Sequence, residues 1–173
     1  MQQTFSIVLK KKDDALARLY GLLCGRAFRI QSTTVGATED DRYWRVTLVT
    51  SPEEMKLDKL VKELGRLVDV VEVTNLTDTT HVSRQFALIW VQSRPEHRPS
   101  VERLVWRDGG QVIQDTPAGL TIQVMGCQED IETLAQALRS YGPIRMTWVG
   151  LVAVNTSSVL TDEQPVYQAA GMA

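Results

Sequence analysis

A chain of 173 residues with 43% hydrophobic content has enough apolar material for one domain or two small ones. A formal charge of -2 argues against nucleic acid as a partner, because a general polyanion binder carries a marked excess of Lys and Arg. No run approaches the roughly 18 to 20 apolar residues that span a bilayer, and Met1-Gln2-Gln3-Thr4 opens no basic segment leading into an apolar one, so no membrane partner and a cytoplasmic location are expected.

Thr4 to Lys10 alternates, with Phe5, Ile7 and Leu9 on one face and Ser6, Val8 and Lys10 on the other, the period-2 pattern of a strand with one buried side. The polar turn Lys11-Lys12-Asp13 follows. From Asp14 the apolar positions take helical spacing (Ala15, Leu16, Leu19, Tyr20, Leu22, Leu23), which predicts a helix with one core-facing stripe and Asp14 as its N-cap. Gly25 to Ala27 ends it. Ile30 to Ala37 and Tyr43 to Thr50 read as a hairpin joined by the acidic loop Thr38-Glu39-Asp40-Asp41, with Trp44, Val46 and Leu48 sharing a face. The next helix has the clearest start signal: Ser51 as N-cap, Pro52 at the first helical position and Glu54 closing a capping box. Its stripe is Leu57, Leu60, Val61, Leu64, Leu67 and Val68, and Val70 to Asn75 returns to a strand, giving the order βαββαβ.

The same order starts again near Arg84. A strand over Gln85 to Ser93 leads to a short helix after Pro99 carrying Val101, Leu104 and Val105, then to a strand over Gln111 to Thr116. After the turn Pro117-Ala118-Gly119, Leu120 to Met125 is the partner strand, and Gln128 to Ser140 is a helix with Ile131, Leu134, Ala135 and Leu138 inward. Tyr141-Gly142-Pro143 stops that helix, and Ile144 to Val154 closes the unit. Superposing the halves sets Phe5, Ile7 and Leu9 against Phe86, Leu88 and Trp90. The predicted fold is therefore α+β: two ferredoxin-like βαββαβ domains, residues 1–78 and 79–156, each an antiparallel sheet with both helices on one face. The boundary falls in the segment from Thr77 to Val82, and residues 157–173 are expected to be a flexible polar tail. Val8 and Val49 point away from the helices, so a neighbouring domain or a second chain is expected to cover them.

Little in this sequence carries chemistry of its own. Cys24 and Cys127 sit in apolar patterns with no CxxC spacing and read as buried thiols. His81 and His97 have no second ligand at metal-binding spacing. GxSxG, HExxH, GxGxxG and GxxxxGK are all absent, and no catalytic constellation emerges. Glu39, Asp40 and Asp41 read as a solvated turn rather than an acid/base pair. Lys10, Lys11 and Lys12 read either as a phosphate-binding patch or as a solvated turn entering a helix. The order βαββαβ is also that of RNA-recognition domains, and Phe86 and Trp90 suit such a sheet, but the Gly-aromatic-x-aromatic pattern and flanking basic residues are missing.

The residues do resemble a family. The stretch from Asp14 to Val35 is similar to the N-terminal ACT signature of acetohydroxyacid (acetolactate) synthase small subunits, with Ala15, Leu16, Arg18, Gly21, Leu22, Arg26, Ile30, Ser32, Thr34 and Val35 where that pattern wants them. Leu67-Val68-Asp69-Val70, His81-Val82-Ser83-Arg84, Gly110-Gln111-Val112-Ile113 and Asp115-Thr116-Pro117 continue it in order, so the resemblance covers residues 3 to 155.

This resemblance implies a homodimer formed through the ACT domain, with no active site. It binds the catalytic (large) subunit, raises its activity and conveys feedback by valine or a related amino acid in branched-chain amino-acid biosynthesis. Thiamine diphosphate, Mg and FAD belong to that catalytic partner, and no cofactor is expected on this chain. The resemblance also implies an amino-acid effector at the ACT dimer interface, its carboxylate held by backbone N–H groups opening the first helix. The matching positions are Lys11, Asp14, Ala15, Leu16, Arg29 and Ile30. Three depart from the family, which commonly has Asn where Lys11 and Arg29 stand and Gly where Asp14 stands. Asp14 places a carboxylate beside that of the effector, and like charges some 4 Å apart cost about 4 kcal/mol at an effective dielectric near 20. Arg29 is expected to offset that repulsion by pairing with Asp14. A subunit insensitive to valine, or answering another ligand, is the expectation. A stand-alone ACT-type sensor and the regulatory subunit of a specialised-metabolism thiamine-diphosphate enzyme are the alternatives.

Overall fold

The computed structural model describes residues 2–25, 28–51 and 57–156. The chain divides into two compact units, one built on the residues up to Val82 together with the segment from Leu151, the other on Ser83–Gly150. The segment after Leu151 thus groups with the first unit, and Thr156 N–H donates to the Thr80 carbonyl at 3.1 Å. No helix among the described residues is long and apolar enough to cross a membrane.

In the first unit β1 (Gln3–Lys10), α1 (Ala15–Gly25), β2 (Ile30–Ala37), β3 (Tyr43–Thr50), α2 (Leu57–Gly65) and β4 (Val70–Asn75) follow in the order βαββαβ. The strands form an antiparallel sheet in the order β2-β3-β1-β4. Alternation decides which side of β1 meets the helices. Phe5, Ile7 and Leu9 are fully buried against Ala15, Leu19 and Leu23 of α1 and Leu60 and Leu64 of α2. Burial of each large side chain contributes about 1.5–3 kcal/mol.

The second unit repeats the plan. It contains β5 (His81–Val91), a 3-10 turn at Pro95–His97, α3 (Arg98–Arg107), β6 (Gln111–Thr116), β7 (Gly119–Gly126), α4 (Gln128–Leu138) and β8 (Ile144–Trp148), with sheet order β6-β7-β5-β8. A last strand, β9 (Val152–Asn155), also pairs with β5, so the single closing strand expected over Ile144 to Val154 is interrupted at residues 149–151. The core is Ala87, Ile89 and Val91 with Leu120, Ile122 and Val124, under Val101 and Val105 of α3 and Ile131, Leu134 and Leu138 of α4.

That core corrects the superposition of the two halves. The counterparts of Phe5, Ile7 and Leu9 are Ala87, Ile89 and Val91, one residue further along than the aromatic pattern suggests. Phe86, Leu88 and Trp90 point to the other face, where Phe86 lies opposite Met125 and the Arg145 guanidinium sits 5.5 Å from the Trp90 ring. A one-residue slip exchanges the two faces of a strand, and hydrophobicity alone did not discriminate because β5 is apolar on both.

Val8 and Val49 are buried. Other expectations change. Val68 lies beyond the end of α2 in a turn and is exposed, while Leu67 still packs on the core. Pro52 and Glu54 of the start signal for α2 lie outside the described residues, as does the tail from 157. Both cysteines are exposed rather than buried. Cys24 falls one position beyond Leu23 in the buried series Ala15, Leu19, Leu23. Cys127 is the N-cap of α4, and its thiol donates to Asp130 Oδ2 at 2.8 Å.

Candidate effector site

The turn from β1 into α1 is closed by backbone hydrogen bonds. Lys10 N–H donates to the Asp69 carbonyl at 2.8 Å and Lys11 N–H to the Arg42 carbonyl at 2.8 Å. Lys12 N–H then donates to the Lys10 carbonyl at 2.9 Å, and Ala15 N–H to that of Lys12 at 3.1 Å. The amides of Leu16 and Ala17 belong to the donors that a helix leaves unpaired within itself at this end, where the backbone dipole favours negative charge.

Lys11 and Asp14 are exposed at this turn, Ala15 is buried, and Leu16 is half-buried against the core. The Asp14 carboxylate does not cap the helix. It is bound by Arg18 one turn along, Nη1 to Oδ2 and Nη2 to Oδ1 at 2.7 Å, while the Asp14 carbonyl accepts the Arg18 N–H at 3.0 Å. An acid and an arginine four residues apart lie on one face of a helix, and here that attraction outcompetes capping.

Arg18 has a second partner. Its Nε and Nη2 donate to Asp69 Oδ2 at 2.9 and 2.6 Å, and the Asp69 side chain is only 2% exposed. Lys12 Nζ stands 3.4 Å from Asp69 Oδ1, an ion pair rather than a tight hydrogen bond. The hydrogen bonds from Arg18 hold the Asp69 carboxyl below its ordinary pKa against the opposing effect of burial. Those to Asp69 and then Asp14 raise that of Arg18, burial again opposing. Sequence reasoning had Arg18 and Asp69 only as family matches. The Asp14 to Arg18 spacing could have revealed the first pair, but no local signal announces a partner 51 positions away.

Arg29 and Ile30 lie elsewhere. Ile30 pairs with Thr50, which pairs with Gln3 at the start of β1, whereas Lys10 pairs with Tyr43 at the opposite end of β3. Tyr43 and Thr50 bound the whole of β3, so the two ends stand roughly 23 Å apart at the usual strand rise. The structure brings Lys11, Asp14, Ala15 and Leu16 together and leaves Arg29 and Ile30 at the far end. The expected Arg29–Asp14 pair is not formed within one chain.

The acidic hairpin loop is a turn held by its own arginine. Arg42 donates to Asp40 through its backbone N–H at 3.0 Å and its guanidinium at 2.5 to 3.0 Å, and these bonds lower the Asp40 carboxyl to about 2. In the second unit a groove of about 400 Å³ lies between α3 and β6, lined in part by Val105, Trp106 and Val112, with Trp106 84% exposed. Nothing in the sequence had singled it out.

Comparison with known proteins covers both units. The family described as small subunit of acetolactate synthase matches residues 84–157, and the ACT domain family matches residues 11–73. The acetolactate synthase small subunit of Haemophilus influenzae is 33% identical over 139 residues, 80% of this chain and 85% of that protein. That of Mycobacterium avium is 36% identical over 142 residues, 82% of this chain and 85% of the relative. The crystal structure of the acetolactate synthase small subunit from Thermotoga maritima superposes with a TM-score of 0.81 at 25% identity, covering 92% of this chain and 99% of that one. With sequence relatives and a solved structure agreeing across both repeats, the chain belongs to the acetolactate synthase small-subunit family.

Proposed function

We propose that this chain is a non-catalytic regulatory subunit that binds and activates the thiamine-diphosphate-dependent catalytic subunit of acetohydroxyacid synthase, and that its effector site no longer answers ordinary valine. The observation that carries the first part is the match of both repeats, nearly end to end, to proteins named as acetolactate synthase small subunits. Thiamine diphosphate, Mg and FAD belong to the catalytic partner.

A homodimer through the ACT domain is part of this reading, and an open sheet edge supports it. β2 is an edge strand, and its outer half is exposed. Antiparallel pairing of two β2 strands about Thr33 and Thr34 would bring the start of one β2 beside the end of the other, where Ala37 lies across Trp44 from Leu9. Arg29 and Ile30 of one copy would then meet the Lys11 to Leu16 turn of its partner, completing a six-residue site that one chain leaves divided.

On this reading valine insensitivity rests on Asp14, which adds a carboxylate to the turn where an amino acid's carboxylate would approach the helix. Arg18 neutralises part of that charge and brings the repulsion below the bare-charge figure without removing it. The decisive assay measures the cognate catalytic subunit with and without this chain, across added valine, leucine and isoleucine. Activation with a flat valine response is expected. No activation of any acetohydroxyacid synthase catalytic subunit would overturn the first part, and inhibition at micromolar valine the second.

A further inference from the structure

We propose that Asp69 is the positioning residue of the effector turn, tying the end of β1, the loop and the first turn of α1 to one buried point. This rests on the reading of that turn as a ligand cradle. Three different parts of the turn converge on Asp69. Its carbonyl accepts the Lys10 N–H at 2.8 Å, where β1 ends. Its Oδ2 accepts Arg18 Nε and Nη2 from the helix, and Oδ1 faces Lys12 Nζ from the loop at 3.4 Å. The neighbouring Val68 carbonyl accepts Lys10 Nζ at 3.3 Å, adding a tie between the same two segments.

A carboxylate that is 2% exposed has little water to fall back on, so its geometry is set by the cations around it, and theirs by it. Arg18 is the joint of the arrangement, because the guanidinium that holds Asp69 also holds Asp14 at the mouth of the turn. Asp69 therefore orients a residue of the site, Asp14, that it does not itself touch. Its influence on a ligand is exerted through the direction of the α1 amides and of the Asp14 carboxylate.

The test is hydrogen exchange, resolved to short segments, on the full chain and its Asp69→Asn and Lys12→Met variants, each alone and with valine, leucine or isoleucine. Asp69→Asn is expected to speed exchange of residues 11–18 at least about tenfold while β3 and the second unit keep their protection. Lys12 is 56% exposed, so Lys12→Met, which spares the core, is expected to speed the same segment by a smaller factor. Unchanged exchange at 11–18 in both variants, or acceleration spread evenly over the first unit, would overturn the anchor. An amino acid that protects 11–18 in the wild type but at least tenfold less well in Asp69→Asn supports positioning rather than bulk stability. If none protects the wild type, the cradle reading fails, and the ligand-free arm still decides whether Asp69 is the anchor.

Discussion

Arg18 meets Asp69 through two nitrogens, Nε at 2.9 Å and Nη2 at 2.6 Å, on a carboxylate almost wholly withdrawn from water. Removing the cation leaves Asp69 with Lys12 at 3.4 Å as its remaining cationic neighbour among the described residues. Arg18→Met is expected to destabilise the first unit, because it leaves a carboxylate withdrawn from water with Lys12 alone among the described residues. Urea unfolding of the full chain reads this as a lower midpoint at unchanged slope.

The same pair predicts an acid dependence. Because the folded-state pKa of Asp69 lies below its ordinary value, the folded form binds its proton less readily than the unfolded form. Its contribution is fully present above the ordinary carboxyl range, near 3.9, and is lost as pH falls through the depressed folded value. Unfolding midpoints from about pH 5 downward should fall more steeply for the wild type than for Asp69→Asn, which has no proton to take up there. Parallel curves would remove Asp69 from the account.

The order of elements was legible in the sequence because it depends on periodicity, and both βαββαβ repeats stand where the pattern put them. Facing was legible in β1, where Ser6 and Lys10 mark the polar side, and illegible in β5, where Phe86, Leu88 and Trp90 on one face compete with Ala87, Ile89 and Val91 on the other. Long-range charge pairing was beyond reach. Asp14 read as a cap because capping is local, and the structure gives its carboxylate to Arg18 because that arginine is already fixed by Asp69. The division of the six candidate residues between two ends of one sheet is a consequence of topology, and becomes visible only once the register through β3 is known.

Gly119 tests the second unit. It opens β7 opposite Thr116, and a Cβ built there would stand 2.3 Å from the Val91 carbonyl oxygen and 3.1 Å from atoms of the Trp90 ring. The nearest obstacle is backbone in a central strand, which cannot swing aside as a side chain can. Gly119→Ala is expected to cost about 2–3 kcal/mol. Gly36→Ala, at a position with open space around it, should stay within about 0.5 kcal/mol. Thermal and urea unfolding of the two variants side by side make the comparison.

Asp14→Gly tests the reading of the effector site. A bare carboxylate some 4 Å from a bound one would cost about 4 kcal/mol, but Arg18 already binds Asp14 bidentately and stays in place. A residual penalty of about 1.5 to 3 kcal/mol remains, so removing the acid should tighten valine binding roughly tenfold to a hundredfold. Isothermal titration against the wild type measures it. Equal affinities would mean that Asp14 does not govern the site.

On the proposed pairing of two copies, the β2 edge decides whether the six candidate residues come together. Val35 is 40% exposed there and shares a face with its cross-strand neighbour Val46, which is fully buried. In a two-fold pairing about Thr33 and Thr34, each Val35 would lie inside the joint between copies. A lysine at this position brings one cation from each copy into that joint and is also a common guard against edge-to-edge pairing. Sedimentation velocity should find the wild type dimeric and Val35→Lys monomeric, with circular dichroism unchanged because Val35, although on the helix-side face, sits at the exposed edge of the sheet outside the core cluster. The monomer should also lose any amino-acid response, since Arg29 and Ile30 would again be separated from Lys11 and Asp14 by the length of β3. A Val35→Lys chain that remains dimeric, or a monomer that still binds an effector at the turn, would show that the site does not depend on β2 pairing.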